Sequence, residues 1–227
     1  MLAVVAPEVW EVQHLMGLPG GVRMPVRMTV LRLPAGRLLL HSPVPLTDEV
    51  GGAIGALGTV TWVVAPSRLH HLFVAPCLAR WPEAMLYGAS ALATKRPDLP
   101  WRGELASDEH PFGDEVRVTP VDGAPAMAEV AFLHQPSGSL LVSDLLFNVT
   151  APANRRTGAL LYLMGTHGRL AMSRAFRFLT RDRRALKASV ERILAWPFHR
   201  ILPGHGAVFD EPAARERART ALAWAMR

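Results

Sequence analysis

The spacing of apolar and polar positions predicts strands early in the chain and helices later. Residues 27–42, RMTVLRLPAGRLLLHS, hold two apolar runs around Pro34-Ala35-Gly36 and read as a β-hairpin, because Pro and Gly supply the turn. Pro43 and Pro45 end the second run. Thr47 is placed to cap a helix over 48–57, with Asp48 and Glu49 in its first turn and Gly58 beyond its end. Residues 60–64 read as a buried strand closed by Pro66, 70–81 as a helix ended by Pro82, and 85–87 as a strand. Residues 97–125 are rich in Pro, Gly and acidic side chains and read as irregular, with one short strand near 116–118. A second hairpin pairs 129–134 with 139–143 across Pro136-Ser137-Gly138. Residues 155–195 read as mainly helical, 199–203 as a last strand, and 211–226 as a closing helix.

Sheets with one face to bury and helices to cover them make an α+β protein, most simply an αββα sandwich. The expectation is one domain over residues 1–227, with 1–26 as an N-terminal extension or edge segment. Those first 26 residues, with Trp10 and Met16, either pack on the domain or form a contact in a homodimer.

Half the residues are hydrophobic and 19% are charged, which is a globular composition. One cysteine, Cys77, excludes a disulfide framework and a cysteine-rich zinc module. It lies in the apolar stretch LFVAPCLA and reads as a buried inert thiol. No apolar run is long enough to span a membrane, and the N-terminus lacks a basic segment and carries Glu8 early, so a cytoplasmic protein is expected. The net charge is +6, but only two of the 25 cations, Lys95 and Lys187, are lysines. That skew reads as arginine bias, and the run from Arg174 to Lys187 as a solvated helix face, so nucleic acid is not the expected partner.

His70 and His71 follow the 60–64 strand, His205 follows the 199–203 strand, and Asp144 ends the 139–143 strand. Strand ends project functional side chains, and histidine and aspartate are donors that zinc accepts. The same residues have bland readings: helix caps, backbone hydrogen bonds, or a tight-turn histidine between Gly204 and Gly206. Ser143 and Asp144 near His134 do not make a serine hydrolase, because no G-x-S-x-G elbow exists, and no P-loop or G-x-G-x-x-G is present. The six tryptophans are scattered and read as core or interface anchors.

The segments VVAPSRLHH at 63–71, SLLVSDLLFN at 139–148 and ILPGHG at 201–206 together resemble the metallo-β-lactamase fold superfamily, and a divergent bacterial branch of it without an established activity. In that superfamily a core strand runs into a T-H-x-H-x-D-H loop, a later strand ends in an aspartate between two metals, and a last histidine sits beside glycine. On the loop, Ala65 stands for threonine, Pro66 and Arg68 for the first two histidines, and His70 for the aspartate; only His71 is kept. The further histidine would fall near Gly123-Ala124-Pro125 and is absent.

The resemblance therefore implies that one metal site is lost and the other survives as His70, His71, Asp144 and His205. Such a set would carry one zinc, and iron or manganese suits the same donors. Arg68 would take over part of the lost metal's electrostatic role or repel a second cation. The implied activity is mononuclear metal-dependent hydrolysis of an ester, thioester or phosphoester, with Asp144 as ligand or general base and Arg68 stabilising developing negative charge. The alternative is a catalytically degenerate member that binds a small molecule or a protein and holds no metal.

Overall fold

In the computed structural model, which describes residues 1–105 and 110–227, the chain begins as an antiparallel meander. Its strands are β1 (Leu2–Ala6), β2 (Val9–Leu18), β3 (Val22–Leu33) and β4 (Arg37–His41). The β3–β4 hairpin turns through Pro34-Ala35-Gly36 as the sequence predicts, with Ala35 and Gly36 in the left-handed region. Residues 1–26 are strands of this sheet, with β1 at its edge.

Parallel crossovers follow: α1 (Asp48–Leu57), β5 (Thr59–Ala65), α2 (Val74–Arg80), β6 (Met85–Gly88), α3 (Leu92–Lys95) and β7 (Trp101–Glu104). The Thr47 side chain caps α1 by accepting the Val50 N–H at 3.3 Å. The helix expected over 70–81 begins only at Val74, because the Ser67 hydroxyl takes the N–H groups of Leu69 and His70 and folds residues 67–73 into turns. β7 is a strand inside the stretch expected to be irregular; residues 106–109 of that stretch lie outside the described residues.

The second sheet contains β8 (Val116–Pro120), β9 (Val130–His134), β10 (Ser139–Asn148), β11 (Arg200–Gly206) and β12 (Phe209–Asp210), in the order β12-β11-β10-β9-β8. Between β10 and β11 run α4 (Arg155–Met164), α5 (Arg174–Leu179) and α6 (Arg183–Leu194), so β10 and β11 pair in parallel. α7 (Ala214–Ala221) and α8 (Ala223–Met226) close the chain.

The sheets pack face to face. Leu31, Leu39 and Val63 of the first meet Phe132, Leu141 and Leu202 of the second in one core, joined from outside by Ile54, Val74 and Cys77 of α1 and α2. On the other face of the second sheet, Leu140, Val142 and Leu146 pack under Phe176, Leu186, Val190 and Ile193 of α5 and α6. The layers are helix, sheet, sheet, helix. Every residue of β10 is buried, which explains its continuous apolar run. Cys77 is buried among these side chains, and burial pushes its thiol up to about 12, so it is inert at neutral pH.

One buried cation ties the sheets together. Arg27 of β3 donates to the carbonyls of Pro203 and Gly206 on β11, while Glu11 of β2 accepts from its Nε. Burial lowers the Arg27 pKa, and the Glu11 carboxylate opposes that shift.

Candidate metal centre

Asp144 does not end its strand. β10 continues to Asn148, and Asp144 sits where pairing to β11 is interrupted, between Val142↔Pro203 and Phe147↔His205. Pairing lost there strands the N–H groups of residues 143–145 in the interior. The Glu129 carboxylate takes all three: Ser143 donates to Oε1 at 2.7 Å, and Asp144 and Leu145 donate to Oε2 at 2.8 Å each. Glu129 stands just before β9, where Val130 donates to the Pro66 carbonyl and Arg68 donates to the Met127 carbonyl. The same short segment therefore fixes both the Asp144 strand and the His70 loop.

His205 lies inside β11, which extends past the strand expected at 199–203. Gly204 lets β11 approach: a Cβ there would lie 2.8 Å from His70 Cε1 and 3.0 Å from the Ser143 carbonyl. His70 comes from the turn after β5, held by Ser67.

These three side chains converge. Nε2 of His205 lies 3.2 Å from Asp144 Oδ1 and 3.3 Å from Nε2 of His70, and His70 Nε2 lies 3.5 Å from Asp144 Oδ2. Among the described residues they are the one His, Cys, Asp or Glu group whose donor atoms all lie within 4.8 Å of one another. Each ring is oriented from behind. Nδ1 of His205 faces the Pro25 carbonyl at 2.8 Å, and Phe147 stacks on the ring at 4.6 Å. Nδ1 of His70 faces the Ser42 hydroxyl at 2.7 Å. Ser42 holds that position with a left-handed backbone, φ 58°.

The Pro25 contact places one proton of His205. A carbonyl only accepts, so Nδ1 carries a proton and Nε2 is the nitrogen turned into the trio. That nitrogen faces a carboxylate oxygen and a second imidazole nitrogen, and Asp144 Oδ2 makes no hydrogen bond of good geometry. Burial pushes the His70 imidazole down to about 4, against the pull of the Asp144 carboxylate. Burial alone would raise the Asp144 carboxyl, but His70, His205 and the Ser67 hydroxyl outweigh it and hold it below its ordinary value. Glu129 is shifted up by burial and by Asp144, against its three N–H donors.

Two imidazole nitrogens and a carboxylate held this close call for a cation among them, a proton or a metal ion. Tetrahedral zinc with bonds of about 2.0–2.2 Å sets its donors roughly 3.3–3.6 Å apart, close to the observed spacing. The outward N–H to a backbone carbonyl is the usual support of a ligating histidine. The donor set fits one metal.

His71 stands outside this trio. Its Nδ1 lies 3.4 Å from Arg96 Nη1, and burial, Lys95 and Arg96 all lower its pKa. Arg68 lines the cavity over the trio, and none of the described ion pairs involves it. Pattern reading missed Glu129, Ser42, Ser67 and Pro25. Ser67 leaves a trace as a serine three residues before His70, and Glu129 as a lone acid opening an apolar strand.

Comparison with known proteins agrees with this architecture. The model of the family described as a domain of unknown function, DUF4336, matches residues 6–157. No curated protein matches the chain. Among solved structures, the DIM-1 metallo-β-lactamase superposes with a TM-score of 0.68 at 13% identity, covering 99% of this chain and 97% of its own. FIM-1 from Pseudomonas aeruginosa, solved in a mono-zinc form, gives 0.66 at 12%, with 100% and 96% covered. The metal-soaked Flv1 flavodiiron core from Synechocystis gives 0.67 at 12%, with 99% and 60% covered. At these identities the likeness is one of fold, and the fold is that of the metallo-β-lactamases.

Proposed function

Because the chain belongs to the DUF4336 family and carries the metallo-β-lactamase fold, we propose that it is a mononuclear metal-dependent hydrolase of an ester, thioester or phosphoester. The observation that carries this reading is the convergence of His70, Asp144 and His205, with Nε2 of His205 aimed at a carboxylate. These three side chains would hold the metal. When bound, it would polarise the scissile carbonyl or phosphoryl oxygen and favour deprotonation of water near neutral pH.

The chain's own residues do the rest. Pro25 and Ser42 orient the two rings, and Phe147 covers one face of His205 against water. Asp144 would serve as a ligand or, where it does not ligate, as the base that receives a proton from water. Arg68 faces the cavity and steadies negative charge on the substrate. For an ester, the water oxygen forms the new bond to the acyl carbon, the acyl–oxygen bond breaks, and the leaving oxygen takes a proton.

The test is elemental mass spectrometry on protein purified without a metal-affinity step. The expected result is about one zinc, iron or manganese per chain, lost in His205→Ala and kept in His71→Ala. Less than about a tenth of an equivalent, even after reconstitution, overturns the reading. The orientation of His71 toward Arg96 supports a second one: a catalytically degenerate member that binds a small molecule in the same cavity without metal.

A further inference from the structure

The cavity above the trio has a volume of about 380 Å³, within the roughly 300–1,000 Å³ usual for small-molecule sites. Its walls are strongly apolar. Leu18 of β2, Met24 and Val26 of β3, Phe147 of β10, and Leu160 and Met164 of α4 enclose one side. Leu69 and Leu72 also line it and are 49% and 54% exposed. Such a surface loses free energy to water unless something apolar covers it.

Apart from Ser42 and His71, the polar side chains of the cavity fall into two sets. His70, Asp144 and His205 form one. Arg68 and Lys95 form the other, and both are cationic. The Lys95 ammonium is tethered there, donating to the Arg68 carbonyl at 2.6 Å. Arg96 stands beside them, but Asp98 answers its charge. Burial lowers the Lys95 pKa, and Arg68 and Arg96 lower it further, so these cations crowd one another. An anion at this place relieves that repulsion.

We propose that the cavity takes an amphipathic acyl compound, whose aliphatic chain lies against Leu18, Met24, Leu160 and Met164 and whose anionic portion is held by Arg68 and Lys95. The substrate class is then an ester or thioester of an apolar acid with a negatively charged leaving portion. Three methionines in the wall, Met16, Met24 and Met164, adapt to chains of different length. The position of the reacting bond rests on the hydrolase reading; the binding does not.

The experiment is calorimetric titration of chelator-treated protein, and of the same protein reloaded with zinc, with hexanoate, octanoate and decanoate. The expected dissociation constant falls about fourfold per added methylene until the chain fills the cavity. 1-Octanol should bind about tenfold more weakly than octanoate, a gap that Arg68→Ala and Lys95→Ala close without changing the methylene step. Met164→Trp, which narrows the cavity at its apolar wall, should weaken decanoate most and shorten the chain length at which affinity stops rising, in a protein whose circular dichroism is unchanged. A flat chain-length series, or one preserved in Met164→Trp, overturns the proposal. Chain-length-dependent binding by a protein that holds no metal and hydrolyses no ester leaves the proposal standing and overturns the hydrolase reading instead.

Discussion

Glu129 positions Asp144 through the main chain: its carboxylate accepts the Asp144 N–H at 2.8 Å, together with those of both neighbours. It stands where a paired strand would otherwise supply acceptors. Glu129→Gln keeps the shape but turns an amide donor toward backbone donors. The expected loss is about 1–3 kcal/mol of stability, with weaker metal binding. Urea unfolding and a competitive zinc titration measure the two effects, and an unchanged midpoint would refute the positioning role.

Ser42 combines a left-handed backbone with a hydroxyl that faces His70. Ser42→Gly separates these roles, because glycine adopts that backbone without strain. Metal affinity should fall about 10–100-fold while the melting temperature holds or rises. Chelator competition and calorimetry read both quantities.

Arg27 joins the sheets on either side of His205, by way of the Pro203 and Gly206 carbonyls. Arg27→Ala leaves the buried Pro203 carbonyl and the part-buried Gly206 carbonyl and Glu11 carboxylate without their partner, with an expected cost of about 2–4 kcal/mol. Arg27→Lys should not restore the stability, since one ammonium cannot reproduce the fork. Denaturant midpoints of the two variants decide it.

His134 is buried, and burial pushes its pKa down to about 4. The unfolded imidazole, near 6.5, binds its proton first, so stability is full above about pH 6.5 and falls as pH drops toward 4. One such proton gives a slope of up to about 1.4 kcal/mol per pH unit. His134→Phe should flatten the stability profile by that amount between those limits, as unfolding at several pH values would record.

The β3–β4 and β9–β10 hairpins were legible because turn residues punctuate apolar runs, whereas the β1–β2 and β2–β3 hairpins were not read. His70, Asp144 and His205 were legible because each adjoins such a run. Their neighbourhood was not. Glu129 acts on backbone N–H groups 14–16 residues away, and a backbone group leaves no mark in the residue pattern. Pro25 contributes only a carbonyl. His70 and His71 look equivalent as letters, yet the Ser67 turn sends one ring to Asp144 and leaves the other beside Arg96. The late start of α2 has the same origin, since a side-chain acceptor competes with the helical ladder.

The donors of the trio come from distant parts of the chain: His205 lies 61 residues from Asp144 and 135 from His70. Loops that long close late in folding, after the local hairpins have formed. An ion held by this trio would therefore not nucleate the fold as it does a zinc finger; it would meet a scaffold already assembled. Removing it should leave a folded protein with a lower melting point, and the size of that drop should depend on free metal concentration by mass action.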